Sequence, residues 1–512
     1  MSASDARSTG SREEVSPAAV DQESMALRGG TLRTIDAIAM AIAVLSPAMA
    51  MAYNTTGSAA FSGTSTPLAI LIGGIACLSL AFVVVGFTRR MASAGYAYTY
   101  ASRSLGQEVG FITGWLYFFG FFCFVPMTMS GVGGFTASLI QTEIWHGMPS
   151  WFWIVIFLIG MALLVGLATF NIKFNARTIL VIAVLTIAVV LIVDLIVMAK
   201  GGKAGHSLQP FTFNHTLLGG FSGIFYGLIF GVTSFIGFET AAVLGEETKN
   251  PRRAIPISVI VAVLFAIVFY VLTSYVIAIG VGVDQAGSQK WASDPTVLAD
   301  VANQYIGNAF LVLVDVAAIL SAFIVCVACA TAAARTMFAM GREGVLPRWF
   351  GRTHPTYKTP ANATLFIAAL ATLFSVLVGF FWSFGQGPYT NYYLFASIGT
   401  VAVIAVYVIL SVGAIVWFRR VHERYNPIVH IVIPLIGAVI FALAIYGSVY
   451  PGALPPLPYR IVPFVNLIWL ILGGVMLWYL KTRRPDEVGR IGSILGEEGG
   501  EVATALEGSA HA

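Results

Sequence analysis

The sequence predicts an all-α integral membrane protein with about twelve transmembrane helices. Hydrophobic residues make up 58% of the 512 residues, charged residues make up only 10%, and the mean hydropathy is +0.84. A soluble fold cannot bury that much apolar surface. Apolar runs close to the roughly 20 residues that cross a hydrocarbon core recur along the whole chain. They lie at about 34–61, 66–88, 109–139, 151–170, 178–199, 216–244, 255–281, 308–340, 361–383, 392–418, 428–449 and 462–480.

Lysine and arginine are unevenly distributed between the loops, and this bias predicts the orientation. Short cytoplasmic loops of membrane proteins are enriched in both residues. If the N-terminus lies inside, the cytoplasmic loops and the segment after the last helix carry Arg89, Arg90, Arg103, Lys173, Arg177, Lys249, Arg252, Arg253, Arg342, Arg348, Arg352, Lys358, Arg419, Arg420, Arg424, Lys481, Arg483 and Arg484. The outer loops then carry Lys200, Lys203, Lys290 and Arg460. We therefore expect a multi-pass protein of the cytoplasmic (inner or plasma) membrane with both termini in the cytoplasm.

Two polar tails flank the predicted membrane domain. Residues 1–33 contain Ser, Ala, Glu and Arg in no periodic order, and residues 481–512 are Gly-rich and mildly acidic. Both are expected to be disordered cytoplasmic tails, and the first lacks the pattern of a signal peptide. Residues 34–480 are expected to form a single twelve-helix domain, with its last two helices at about 428–480.

Composition and motif content exclude several classes of function. The net charge of +4 and the pI near 8.8 arise from the loop cations, and no basic stripe or aromatic platform indicates a nucleic-acid partner. Cys77, Cys123, Cys326 and Cys329 lie in apolar runs, where packing is expected rather than metal binding or disulfide formation. No nucleophile, base and orienting acid converge, so no enzyme activity, catalytic residue, metal site or cofactor is expected.

Two of the predicted helices are interrupted at matching positions. Helix one contains LSPAMAMAYNTTG (Leu45–Gly57), which places Pro47 and then small polar residues where a continuous span would be aliphatic. Helix six, GGFSGIFYGLIFGVTSFIGFE (Gly219–Glu239), carries a glycine every few residues. Either break alone is compatible with a proline kink or a packing face. Together they begin two five-helix halves, at about 34–199 and 216–418, and predict an inverted-repeat transporter with its site near the membrane midplane.

Glu239 and the two breaks indicate what such a site would bind. A carboxylate inside an apolar helix is retained where it faces a cavity, a partner or a coupling ion; the structural alternative is a hydrogen bond to a neighbouring helix. The start of a half-helix offers partial positive charge to a carboxylate, and the end of a half-helix offers carbonyls to an ammonium group. One cavity between two such ends suits a zwitterion.

Three motifs carry a resemblance to a known family. They are SFIGFETAAVLGEETKNPRRAIP (Ser234–Pro256), GFTRRMASAGYAYTYASRSLG (Gly86–Gly106) and RTMFAMGREGVLP (Arg335–Pro347). In the first, Asn250 is placed to cap a helix that begins at Pro251. The chain resembles a bacterial amino acid permease of the amino acid, polyamine and organocation transporter superfamily. This resemblance implies a LeuT-like fold, a five-plus-five inverted repeat with helices 1 and 6 broken.

The resemblance also implies a substrate site. The substrate amino group should meet carbonyls of helix six, and the substrate carboxylate should meet amides of helix one. The implied substrate-binding residues are Leu45, Ser46, Pro47, Ala48, Met49, Thr233, Phe235, Ile236 and Gly237. Relatives usually have a glycine-rich sequence in helix one, whereas this chain has Leu45–Met49; a branch that imports putrescine and other amines also has a proline there.

Several charged or polar residues have predicted roles in gating and coupling. Glu239, with Phe238 beside it, is expected to gate the site and to couple transport to protons; Tyr226 could also close it. Asp315 either pairs between helices or joins the proton path. Arg335, expected to snorkel or to pair with Glu246 or Glu247, forms a predicted cytoplasmic gate with them. Asp194 is expected to be an interfacial residue, and Ser321 and Thr331 could contribute to a sodium site.

The predicted function is secondary active transport of an amino acid by alternating access, proton-coupled or by exchange, with sodium coupling left open. The alternatives are a polyamine or other amine (putrescine-like) carrier, a non-transporting nutrient sensor and an amine-gated channel. The expected partners are a small-molecule substrate and the lipid bilayer. The oligomeric state stays open.

Overall fold

The computed structural model describes residues 32–91, 96–168, 172–203, 205–243, 248–354, 356–357, 359–383, 388–421, 425–449 and 459–489. Regular structure in these residues is helical, apart from one parallel backbone bridge between Leu32 and Thr248. Of the predicted disordered tails, 1–33 and 481–512, the structure describes residues 32–33 and 481–489, and residues 481–483 and 485–489 are helical. The all-α membrane fold predicted from composition is confirmed.

The helices are numbered from the N-terminus. They are α1 (Thr34–Val44), α2 (Pro47–Met49), α3 (Thr55–Ser62), α4 (Thr66–Thr88), α5 (Ala97–Leu105), α6 (Gln107–Glu143), α7 (Trp153–Ala168), α8 (Ile172–Lys200), α9 (Gly220–Phe235), α10 (Thr240–Val243), α11 (Pro251–Val281), α12 (Gln285–Ser293), α13 (Val297–Tyr305), α14 (Asn308–Arg342), α15 (Ala361–Val378), α16 (Tyr389–Val421), α17 (Ile433–Val449), α18 (Val462–Arg483) and α19 (Pro485–Gly489). A π-helical turn, Ala50–Asn54, joins α2 to α3, and two further π turns, Gly379–Ser383 and Ile428–Val432, adjoin α15 and α17.

Eleven helical stretches of the described residues are long and apolar enough to cross a membrane. The first, Thr34–Thr88, has 55 residues, which at about 1.5 Å per residue is more than twice the thickness of a hydrocarbon core. Gly63, with φ of 53°, divides this stretch into two legs. Counting both legs, the described residues supply the twelve crossings that the apolar runs predict.

Central and peripheral helices differ in burial. The most apolar windows of Gln107–Glu143 and Gly220–Ala242 are 83% buried, whereas that of Tyr459–Arg483 is only 11% buried. The peripheral helix exposes large apolar side chains such as Leu467 and Ile471, which suits contact with lipid. Helices α6 and α9 therefore lie at the centre of the bundle, and α18 lies at its edge.

Local signals set several helix ends. Helix α11 begins at Pro251 as predicted, but Asn250 adopts a left-handed conformation (φ 50°) and makes no side-chain cap hydrogen bond. The predicted cap is therefore wrong, and the left-handed backbone, which asparagine tolerates better than most residues, explains the residue type instead. Helix α14 ends at Arg342, with Gly344 at φ 82° two residues later.

Candidate functional site

The break of helix one lies between α1 and α2. Ser46 adopts a left-handed conformation with φ of 50° and ψ of 61°, which costs a residue other than glycine about 1–2 kcal/mol. Pro47 opens α2 and has no N–H to donate, so the unpaired donors of this helix start are the amides of Ala48 and Met49. The Tyr270 hydroxyl donates a hydrogen bond to the Leu45 carbonyl and so holds the end of α1.

A π-helical turn follows the break and widens the helix. Asn54 ends this turn, and its Oδ1 accepts a hydrogen bond of 2.6 Å from the Tyr392 hydroxyl of α16. The Thr56 hydroxyl, at the start of α3, lies within hydrogen-bond distance of the carbonyls of Ala52 (3.1 Å) and Asp294 (3.0 Å). The second half of helix one is therefore attached to α16 and to the segment after α12.

The break of helix six lies between α9 and α10. Ile236 has an extended backbone (ψ 130°), and Gly237 has φ of 119°, a conformation that favours glycine. Because α9 ends at Phe235, the Ile236 amide donates to the Val232 and Thr233 carbonyls, and the carbonyls of Ser234 and Phe235 lack the donors that a continuing helix would supply. These carbonyls form the acceptor side of the break.

Glu239 ties this break together. The side chain is fully buried, its Oε2 accepts a hydrogen bond of 2.9 Å from the Gly237 amide, and its Oε1 accepts one of 2.5 Å from the Tyr407 hydroxyl of α16. Both carboxylate oxygens therefore have a donor. The acid clamps the start of α10 to the break and to a neighbouring helix, which is the structural alternative that its sequence position also allowed.

A small cavity lies between the two breaks. It is lined by Leu45, Ser46, Met49, Ala50, Asn54, Phe124, Met127, Thr233, Ile236, Val325, Cys329 and Tyr392. Its accessible volume is about 20 Å³, and one water needs about 10–15 Å³ on this measure. The cavity therefore has room for only one or two waters, and a larger ligand requires the surrounding helices to move apart.

The cavity contains part of the predicted binding set. Leu45, Ser46, Met49, Thr233 and Ile236 line it, whereas Pro47, Ala48, Phe235 and Gly237 form the breaks without lining it. Sequence reasoning missed Ala50, Asn54, Phe124, Met127, Val325, Cys329 and Tyr392. Ala50 and Asn54 follow Ser46 at a spacing of four residues, which places them on one helical face, so this signal was present. The others come from α6, α14 and α16.

The lining is mostly apolar and uncharged. The twelve described lining residues include no Asp, Glu, Lys, Arg or His, and their polar side chains are Ser46, Asn54, Thr233 and Tyr392. The Thr233 hydroxyl lies 2.7 Å from the Thr400 hydroxyl, in addition to donating to a carbonyl of its own helix. The cavity thus offers hydroxyls, one amide and the exposed backbone of the breaks.

An aromatic cluster of Tyr53, Phe135, Tyr389, Tyr392 and Tyr393 separates the cavity from a second opening. The Tyr53 ring centroid lies 4.3 Å from that of Phe135 and 4.4 Å from that of Tyr392. Tyr392 lines the small cavity, while its neighbour Tyr393 lines a vestibule of about 360 Å³. The cluster therefore forms a partition between the two.

The vestibule lies near α3, at the end of the helix bundle opposite to the end where α1 begins. Tyr226, Phe230 and Ala292 line it together with residues of α3. Tyr226 therefore lies in this vestibule and not beside the cavity, where sequence analysis considered it as a gate.

Other predicted gating residues lie outside the cavity. Phe238 is fully buried with its ring centroid 6.3 Å from that of Tyr407. Asp315 is 3% exposed in α14 and does not line the cavity. Arg335 is also 3% exposed, so its side chain does not snorkel to the surface. Glu246 and Glu247 lie outside the described residues, and the predicted cytoplasmic gate stays a prediction.

Two further expectations can be compared with the structure. Asp194 is fully buried by neighbouring helices, and its position at the membrane interface stays a prediction. The Ser321 hydroxyl lies 3.1 Å from that of Ser46, but the Thr331 hydroxyl donates to the Val327 carbonyl of its own helix. Donation leaves the lone pairs of the Thr331 oxygen available to a cation, so a sodium site at the break stays a prediction.

The chain is similar in sequence to a family of permeases and to several transport proteins. The amino acid permease family model matches residues 32–476. The chain is 26% identical over 452 residues to the branched-chain amino acid permease BcaP of Bacillus subtilis (strain 168), covering 85% of this chain and 90% of that protein. It is 30% identical over 364 residues to the low-affinity putrescine importer PlaP of Escherichia coli (strain K12), covering 67% and 74%. It is 24% identical over 453 residues to the methylthioribose transporter of Bacillus subtilis (strain 168), covering 84% and 89%.

Proposed function

The chain belongs to the amino acid permease family, and from this premise we propose that it moves an amino acid across the cytoplasmic membrane by alternating access. The family comprises transporters with a LeuT-like fold and not enzymes.

The observation that carries the proposal is the small cavity between two helix breaks. The amides of Ala48 and Met49 begin one half-helix, and the carbonyls near Phe235 and Ile236 end the other. A carboxylate is stabilised by the first arrangement, and an ammonium group by the second. A zwitterion uses both.

The lining supports a neutral amino acid with a small apolar side chain. Eight of the twelve described lining residues are apolar, among them Met49, Met127, Ile236 and Val325. The second ammonium group of a diamine would be buried there without a carboxylate partner, and such burial costs several kcal/mol. The similarity to BcaP, named as a branched-chain amino acid permease, agrees with this substrate class.

An amine carrier is the second candidate. The Ser46–Pro47 pair gives the helix-one break fewer amide donors than a glycine-rich sequence would supply. The similarity to PlaP, named as a putrescine importer, points the same way. Under this alternative the ammonium group binds at helix six and no carboxylate is recognised.

Two closures would alternate during transport. On the vestibule side, the aromatic cluster closes the cavity, with Tyr392 bonded to Asn54. On the other side, Glu239 clamps the helix-six break, and the Lys249 amide donates to the Leu32 carbonyl at 2.8 Å, joining the chain before α1 to the segment after α10. With both termini cytoplasmic, as the loop charges predict, the vestibule faces outward.

Glu239 is proposed to couple gating to protons. Protonation removes the negative charge that holds the Gly237 amide and the Tyr407 hydroxyl, and hydrogen bonds to a charged acceptor are about twice as strong as neutral ones. The clamp therefore weakens when Glu239 is neutral, and α10 can move away from α16. Proton-coupled transport and exchange both remain compatible with such a gate.

Counterflow in proteoliposomes tests the proposal, because it requires no knowledge of the coupled ion. Vesicles are preloaded with pooled neutral amino acids or pooled amines, and a labelled trace of the same class is added outside. Accumulation with the amino acid pool is expected. Accumulation with amines alone would support the second candidate, and no accumulation with either pool would favour a sensor.

A further inference from the structure

A second buried acid, Asp194, lies outside the cavity. Asp194 of α8 is 0% exposed. The Thr273 hydroxyl of α11 donates a hydrogen bond of 2.6 Å to its Oδ2, while its Oδ1 has no hydrogen-bond partner in the part of the chain that the structure describes. Glu239, by contrast, has a donor on each carboxylate oxygen.

Among the described residues, no cation of a neighbouring helix is bonded to Asp194. Helix α8 packs against α1, α2, α11, α13 and α14, whose ionisable residues are Asp36, Arg252, Arg253, Tyr270, Tyr275, Asp300, Tyr305, Asp315, Cys326, Cys329, Arg335 and Arg342. Arg253 precedes Thr273 by twenty residues on α11, which is about 30 Å. Lys200 of α8 itself donates to the Tyr305 carbonyl. A charged carboxylate in this place has a single hydroxyl donor and no cation bonded to it among the described residues.

A protonated Asp194 fits this environment better than a charged one. Burying an ionised carboxylate without a counter-charge costs far more than burying a neutral polar group. In the closed arrangement the Oδ1 atom is therefore the natural position for a proton.

Helix α11 connects Asp194 with both helix breaks. Tyr270 lies three residues before Thr273, so the two side chains share a helix face. The Tyr270 hydroxyl donates to the Leu45 carbonyl at the break of helix one. Its ring centroid lies 5.2 Å from that of Phe235 at the break of helix six. A shift of α11 relative to α8 would therefore move Tyr270 and change its contacts with both helix breaks.

We propose that Asp194, bonded to Thr273, is a proton-binding site of the transport cycle. When water reaches the contact between α8 and α11, the carboxylate takes a proton on Oδ1 from a hydronium ion, which leaves as water. The neutral acid is then buried as the helices close, and it releases the proton to water when they part again. This inference rests on the proposed function and adds a second acid to Glu239.

The test compares Asp194→Asn with the wild-type protein in proteoliposomes. Asparagine keeps the shape and an acceptor for Thr273 but cannot bind a proton. Counterflow at equal pH is expected to stay within twofold of wild type, while accumulation driven by a pH gradient falls at least tenfold. The matched control is Thr186→Val. Thr186 is buried in the same helix, and among the described residues its hydroxyl bonds only to Ala183 of that helix, so both activities should persist.

Thr273→Val gives a second readout if Asp194→Asn does not fold. The charged carboxylate loses its hydroxyl donor, so the midpoint of the pH profile of uptake should move to higher pH while counterflow persists. An unchanged midpoint in a folded Thr273→Val protein would overturn the inference. So would gradient-driven accumulation by Asp194→Asn equal to wild type, or wild-type uptake that does not respond to a pH gradient. Failure of wild-type counterflow would instead contradict the proposed function.

Discussion

The two helix breaks present opposite backbone groups and are stabilised in different ways. The break of helix one is built from a left-handed Ser46 and a proline, and other helices hold it through Tyr270 and Ser321. The break of helix six depends on Gly237 and is clamped by its own acid, Glu239. Uncharged partners hold the first break, whereas the second includes a group that can change charge. The first is therefore suited to a fixed binding surface and the second to a gate.

Gly237→Val should have the largest effect on this comparison. Valine is strongly disfavoured at φ of 119°, and such backbone strain costs about 1–3 kcal/mol or more. Counterflow should fall at least tenfold in protein that still elutes as a single species. Gly166→Ala is the control, because an added Cβ there meets no atom within 4 Å; equal losses in both variants would contradict the role of the Gly237 backbone.

Glu239→Gln should separate gating from binding. Glutamine retains an acceptor but cannot change charge, so the pH dependence of uptake should flatten while counterflow at fixed pH persists. The measurement is the initial rate of uptake across a pH series. Tyr407→Phe, which removes one donor and keeps the acid, should shift the profile without flattening it. A Glu239→Gln profile identical to wild type would assign coupling to Asp194 alone or to another buried acid, with Asp315→Asn as the variant to test after Asp194→Asn.

Ser46→Gly tests whether the first break is a fixed surface. Glycine relieves left-handed strain of about 1–2 kcal/mol but loses the hydroxyl contact with Ser321, worth about 0.5–1.5 kcal/mol. The free energy of unfolding should change little, whereas Ser321→Ala, which loses only the contact, should lower it by about 1 kcal/mol. Thermal unfolding in detergent measures both. A large destabilisation by Ser46→Gly would mean that the hydroxyl does more than contact Ser321.

Asp294→Asn should have the smallest effect. Asp294 lies beside helix one, where its backbone carbonyl accepts a hydrogen bond from the Thr56 hydroxyl. Burial, together with the nearby Asp300, raises the pKa of the Asp294 carboxyl above its usual value. An acid whose pKa is raised by folding contributes stability below its unfolded pKa and loses that contribution as the pH rises through the folded pKa. The variant should therefore be slightly more stable than wild type at pH 8 and no more stable near pH 4. A thermal unfolding series over pH would show the reverse trend if the charged form were favoured.

Local signals predicted much of the fold and part of the site. Apolar runs and loop charges are properties of short segments, so the helices could be placed without tertiary information. Pro47, Gly237 and Glu239 likewise act where they stand in the chain. Phe124 and Cys329 could not be assigned to the cavity, because α6 and α14 approach the breaks only through packing between distant segments.

Burial of single polar residues was the least predictable feature. Asp194 lies six residues before the end of α8, a position typical of an interfacial acid, yet packing against Thr273 buries it completely. Depth along a helix can be read from the sequence, but coverage by a neighbouring helix cannot.

The native cysteines allow the central claim, a binding cavity between the two breaks, to be tested directly. Cys329 lines the cavity, whereas Cys326, one turn earlier on α14, is buried and donates to the Val125 carbonyl. Each would be kept as the single cysteine in otherwise cysteine-free protein and labelled with a small thiol reagent, with and without the substrate identified by counterflow. The account predicts that substrate slows labelling of Cys329 at least fivefold and leaves that of Cys326 unchanged. Labelling of Cys329 that does not respond to a transported substrate would contradict it.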